Sequence, residues 1–277
     1  MNRSRFLIEP DELMAIIGQD NVQIYDASIM FYMGMSPEEI AKMPTAYARY
    51  LHEHIPGAAF FDQEDFTDQE SDYGYMLAED QLLEQTIGRV GIANTSEVVV
   101  YAIGPIANAT RAWWLLRYAG VENVRVLNGG LNSWKAAGGA VEQEERKYAP
   151  AAFKAAFKPE MIASLADVRA AQEDDAVRVE NSLPRDWHDQ EHIPGSACLP
   201  LTAFTDETWE VLKPDEQIRA SLEGVEYPDR IITYCGGGIA ATVNAMAHLM
   251  MGKTNVAVYD GSLYEWKGEK QPLVKGK

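Results

Sequence analysis

Apolar residues in this 277-residue chain fall into short runs that alternate with amphipathic stretches. NVQIYDAS (21–28), SEVVVYA (96–102) and NVRVLNG (123–129) are dense in β-branched and aromatic residues and predict strands. DELMAIIGQ (11–19), EDQLLEQTIGRVG (79–91) and ATRAWWLLRYAG (109–120) space their apolar residues at helical period and predict helices, with LNSWKAAG (131–138) a short one. HIPGAAFF (54–61) reads as a turn and a short strand. SPEEIAKMPTAYARYLHEH (36–54) is longer than a turn requires and predicts a solvated helix. Apolar strands alternating with helices imply an α/β fold, a parallel sheet covered on both faces.

The pattern occurs twice. HEHIPGAAFFD (52–62) matches QEHIPGSACLP (190–200), VVVYAIGPIANAT (98–110) matches IITYCGGGIAATV (231–243), and NVRVLNGGLNSW (123–134) matches NVAVYDGSLYEW (255–266). Three matches in one order imply two tandem copies of one unit. The copies are expected at 1–139 and 158–277, with 140–157 as linker inside a stretch rich in glycine, proline and charge.

Composition narrows the function. Lys and Arg number 24 against 42 Asp and Glu, a formal charge of −18. Such a surface repels phosphate backbones and anionic membranes, so neither is an expected partner. A site for an anion must be built locally, from backbone dipoles or a few arginines. The only cysteines, Cys198 and Cys235, make neither a disulfide framework nor a four-ligand zinc site. No signal peptide and no membrane span is read from the sequence, and a cytoplasmic location with free thiols is expected. No cofactor or metal is expected.

Cys235 stands where a predicted strand hands over to Gly236-Gly237-Gly238-Ile239-Ala240 and then to a helix. One reading is a buried core cysteine beside a tight turn. A second is a dinucleotide fingerprint, with Gly236, Gly238 and Ala241 in G-x-G-x-x-A and Asp260 as the acid, but too little chain follows Asp260 for a further strand. A third is a reactive-thiol loop. Glycines let successive N–H groups converge, the helix N-terminus adds its positive end, and the ionised sulfur is favoured there. The first copy has Ala102-Ile103-Gly104-Pro105 at the same place, with no thiol and a proline that lacks an N–H. One active and one inert copy accounts for that difference.

With HIPGA (54–58), HIPGS (192–196), the CGGGIA loop, LNGGLNSW and YDGSLYEW in view, the chain resembles the two-domain rhodanese sulfurtransferases over nearly its whole length. The resemblance implies two rhodanese-like domains, each a small parallel sheet flanked by helices, with the active cysteine in the second. It implies that Cys235 takes sulfur from a small-molecule donor as a persulfide. The acceptor would be cyanide or a thiol, a thioredoxin-like protein included. The 3-mercaptopyruvate branch fits better than the thiosulfate branch, whose loops carry cations where this chain has Gly236 and Gly237. On this resemblance Cys235 and His54 are the catalytic residues, His54 facing the loop from the other domain to carry protons. Residues 236–240 bind substrate through their amides.

Two departures stand out. The branch's loop serine is Gly237, and the usual aspartate–small–arginine segment is Glu180-Asn181-Ser182, which leaves Arg185 as the substitute for gripping a carboxylate. They also leave a non-catalytic sulfur-carrier or docking module as an alternative. A phosphatase on the same fold would need an arginine at position 241, which is Ala241. Of the remaining candidates, Cys198 reads as a core thiol, Trp113 and Trp114 as packing, and His192 as the counterpart of His54. Trp187 and His188 lie near an expected cleft without an assigned role.

Overall fold

A computed structural model describes residues 3–30, 36–223, 225 and 229–276. In the first half, β1 (Leu7–Ile8), α1 (Pro10–Ile16), β2 (Val22–Asp26), α2 (Pro37–Ile40), α3 (Ala46–His52) and β3 (Ala59–Phe60) lead on to the rest of the unit. That remainder is α4 (Asp80–Arg89), β4 (Glu97–Tyr101), α5 (Ile106–Tyr118), β5 (Val124–Leu127) and α6 (Gly130–Ala136). The second half begins β6 (Ile162–Ala163), α7 (Leu165–Ala171), β7 (Val177–Asn181), α8 (Arg185–Gln190) and β8 (Ala197–Cys198). It ends α9 (Asp215–Ser221), β9 (Arg230–Tyr234), α10 (Ala241–Met250), β10 (Val256–Tyr259) and α11 (Ser262–Gly268).

Each half forms a five-stranded parallel sheet, ordered β1-β5-β4-β2-β3 and β6-β10-β9-β7-β8. The expected α/β fold and the expected elements are present. Two-residue edge strands β1 and β6 are additional, being too short for a periodic signal. The long insertion resolves into two short helices, α2 and α3.

The two sheets share their central packing layer. Every residue of α5 from Ile106 to Leu116 is buried, as are 241–248 of α10. A helix buried on all sides needs protein on all sides. Each helix packs on its own sheet and on the other helix. The hydroxyls of Thr110 and Thr242 meet at 2.7 Å across the contact. One apolar cluster runs through both domains here, and separate clusters cover the outer faces.

The domains also exchange arms. Residues 67–77, closed by a Thr67–Leu77 bridge, reach the second domain, and 205–212, closed by a Thr205–Leu212 bridge, reach the first. Leu77 N–H donates to Asp260 Oδ2 (2.7 Å), and Leu212 N–H donates to Asn128 Oδ1 (2.8 Å). Asp260 and Asn128 are matching residues of the repeated YDGS and LNGG motifs. That motif is therefore where each domain receives its partner's arm. The linker lies along the first domain, with Ala151 N–H on Gly88 O, Ala156 N–H on Ala119 O and the Tyr148 hydroxyl on Gly57 O.

Candidate active site

Cys235 follows the last residue of β9, a central strand of the second sheet. Ligand sites in open parallel sheets lie at the carboxyl ends of strands, where the strand order reverses. In this sheet that crevice lies between β9 and β7. Cys235 is buried, at 3% exposure, while Gly236 and Gly237 are half-buried.

The loop is held by its carbonyls. Leu263 N–H donates to Cys235 O (3.1 Å), and Tyr264 N–H donates to Gly236 O (2.9 Å), both from the first turn of α11. Arg111 Nη1 of α5 approaches Gly238 O at 3.4 Å. A trans peptide points its C=O and the following N–H in opposite directions. Drawing these three carbonyls outward therefore turns the N–H groups of Gly236, Gly237 and Ile239 the other way. Among the described hydrogen bonds, the N–H groups of Gly236, Gly237, Ile239 and Ala240 have no acceptor within the protein. They form a set of donors available to an anion at the N-terminus of α10.

Gly238 departs from the expectation that all of 236–240 serve in this way. Its N–H donates to Ser262 Oγ (3.1 Å), which also accepts from Cys235 N–H (3.1 Å) and donates to Tyr259 O (2.7 Å). Gly238 adopts φ +72°, and a Cβ there would lie 2.5 Å from Asp260 O, so only glycine fits. Ser262 was missed from the sequence. The signal lay in the repeat, where the matching residue is Gly130.

The first domain's loop keeps the scaffold without the chemistry. Leu131 N–H bonds Ala102 O as Leu263 bonds Cys235 O. Two of its amides, however, are taken up, Ile103 N–H by Ser28 Oγ (2.8 Å) and Ile106 N–H by Trp209 O (2.9 Å), and Pro105 has none to offer.

Among the described contacts His54 does not meet Cys235. Its Nδ1 bonds Tyr50 O (2.7 Å), its Nε2 bonds Glu144 O (3.1 Å), and its buried ring stacks on Tyr50. His192, at the matching place, bonds His188 O through Nδ1 (2.8 Å). In both copies the HIPG histidine satisfies a carbonyl in the last turn of the preceding helix. The cause is structural, which is why both copies keep it.

Arg185 was expected to grip a substrate carboxylate. It is exposed at the start of α8, and its polar contact is a long one (3.5 Å) to Cys198 O. Glu180 is spent on Arg178 Nε (2.5 Å) and His248 Nε2 (2.6 Å), and Asn181 on His188 Nδ1 and Leu183 N–H. Burial, with the neighbouring His192 next, pulls the His188 imidazole down to about 4, so it stays neutral. Burial pushes the Cys198 thiol up, which disfavours its thiolate.

A family profile described as Rhodanese-like domain matches residues 9–137 and 149–269. The chain belongs to the rhodanese family. As a rhodanese it is an enzyme of the sulfurtransferase class. This rhodanese is 31% identical over 274 residues to a 3-mercaptopyruvate sulfurtransferase of Escherichia coli (strain K12), covering 94% of each chain. It is 33% identical over 238 residues to a thiosulfate sulfurtransferase of Bos taurus, covering 80% of each. The crystal structure of SseA from Escherichia coli, titled as a 3-mercaptopyruvate sulfotransferase, superposes with a TM-score of 0.81 at 31% identity, over 93% of this rhodanese and 98% of that chain.

Proposed function

We propose that Cys235 takes a sulfane sulfur from 3-mercaptopyruvate and passes it, as a persulfide, to cyanide or a thiol. The observation that supports this reading is the group of amides at Gly236, Gly237, Ile239 and Ala240 that have no protein acceptor among the described residues. In the first half-reaction the Cys235 thiolate attacks the donor sulfur and an S–S bond forms. The C–S bond breaks with its electron pair going to carbon, so an enolate of pyruvate leaves and takes a proton. The donor's own thiol proton balances that step, and Cys–S–S⁻ remains. In the second half-reaction cyanide attacks the outer sulfur, thiocyanate leaves and the thiolate returns. A thiol acceptor, or the thiol of a thioredoxin-like protein, would take the same outer sulfur.

In both half-reactions the negative charge sits on sulfur at the cradle. A hydrogen bond to a charged group contributes about 1.5–3 kcal/mol net. Neutral Gly236 and Gly237 place no cation beside the sulfur for a dianionic donor such as thiosulfate, which favours the monoanionic keto acid. We also place the enzyme in the cytoplasm, where its two unpaired cysteines would stay reduced.

Intact mass and steady-state rates test this together. Treatment with 3-mercaptopyruvate should add one sulfur, ~32 Da, to the wild type and nothing to Cys235→Ser. A higher kcat/KM with thiosulfate would overturn the choice of donor. No adduct with any donor would favour the docking module.

A further inference from the structure

We infer that Arg111, a residue of the inert first domain, is a positioning residue for the sulfur cradle in the second. Arg111 is 2% exposed and reaches across the domain boundary from the middle of α5. Its Nη1 bonds Asp260 Oδ1 (2.5 Å) and faces Gly238 O (3.4 Å), and its Nη2 bonds Tyr75 O of the first domain's arm (2.6 Å). Asp260 is 4% exposed, and its second carboxylate oxygen takes the arm's Leu77 N–H. One guanidinium thus joins α5, the arm, Asp260 and the catalytic loop.

Burying a charge pair carries a desolvation cost that apolar packing would avoid. Packing alone therefore does not explain it. What the pair adds is direction. The cation draws the Gly238 carbonyl toward itself, and the rigid peptide plane then turns Ile239 N–H toward the cradle. Gly238 fits so closely that a Cβ there would lie 3.3 Å from Arg111 Nη1.

The device runs one way only. The matching turn of α10 carries Val243 and Asn244, and Asn244 Nδ2 bonds Leu199 O in its own domain. Asp260 is matched in the first domain by neutral Asn128. The first domain supplies a cation to the active loop, and among the described bonds none is returned to its own loop. This explains why a copy without a nucleophile remains part of the catalyst.

The inference rests on Cys235 being the nucleophile, and the test separates the two ideas. In a Cys198→Ala background, the rate of Cys235 alkylation by iodoacetamide is followed against pH, beside kcat and KM with 3-mercaptopyruvate. Arg111→Met should move the half-maximal pH of alkylation upward by about one pH unit, with a fall in kcat of about tenfold and a smaller change in KM. Arg111→Lys, which keeps the charge but loses the fork, should fall between. Should Arg111→Met fold poorly with Asp260 left unpaired, Arg111→Met/Asp260→Asn removes both charges. That variant should recover the wild-type melting temperature and keep the displaced profile. A folded variant with an unmoved profile and a Cys235 that still loads sulfur overturns the role of Arg111 alone. A wild-type Cys235 that neither alkylates nor loads overturns both readings.

Discussion

At the scale of single residues, the departures of this loop from its relatives have physical causes. The loop serine expected from the resemblance is Gly237, and Tyr264 explains the exchange. A Cβ on Gly237 would lie 2.8 Å from Tyr264 Cδ2, so the ring occupies the place a serine side chain would need. Tyr264 is 49% exposed, which leaves the ring room to swing away. Gly237→Ser should therefore push the half-exposed ring aside, slowing sulfur loading and costing no more than about 1 kcal/mol of stability. Gly237→Ser/Tyr264→Ala should recover both. Loading followed by mass and melting by circular dichroism read the two effects, and a single variant that matches wild type in both would remove Tyr264 from the account. Ser262 works in the opposite sense. Its one hydroxyl takes two loop amides, so the number of donors left for sulfur is set by a residue 27 positions from the cysteine.

At the scale of elements, β2 and β7 end on matching residues of different chemistry. Asp26 pairs with Tyr101 in register, as Asn181 does with Tyr234. Burial raises Asp26 from 3.8 to about 6, against the lowering effect of its bonds from the Ser28 hydroxyl and N–H. A carboxyl raised on folding favours the folded state while protonated, so its penalty is absent below about pH 4 and complete above about pH 6. Asp26→Asn should therefore stabilise the protein by up to ~3 kcal/mol at pH 8 and by nothing at pH 3.5. Urea unfolding at the two pH values measures this, and an equal effect at both would show that folding does not raise the Asp26 carboxyl. The same comparison of halves shows what the sequence could reveal. The central strands and their helices were legible because each apolar run is long enough to show its period. The cysteine loop was legible because the repeat supplied an inert control. Arg111 was not, since an arginine in ATRAWWLLRYAG reads as a solvated position until α5 is seen to be buried on every side. Asp260 was noticed only as the acid of a dinucleotide motif, because its partners come from the other domain's arm and helix. His54 misled for a related reason: a helix-end hydrogen bond and a proton relay leave the same letter in the sequence.

At the scale of the whole molecule, the site is an anion cradle inside a strongly anionic protein. The formal charge of −18 repels an anionic donor such as 3-mercaptopyruvate or thiosulfate at long range, while the proposed cradle would attract it only on arrival. Salt acts on the first effect and barely on the second. The screening length falls from about 30 Å at 0.01 M to about 8 Å at 0.15 M, which reaches the surface charges but not a buried loop. The value of kcat/KM for an anionic donor should therefore rise about two- to fivefold over that range, with kcat nearly constant. In the proposed ping-pong cycle kcat/KM for the donor reports the first half-reaction alone. An uncharged thiol acceptor should show no such rise in its own kcat/KM. If the donor's kcat/KM instead falls as salt is added, a local cation is steering the anion, and exposed Arg185 at the edge of the second sheet is the residue to substitute next.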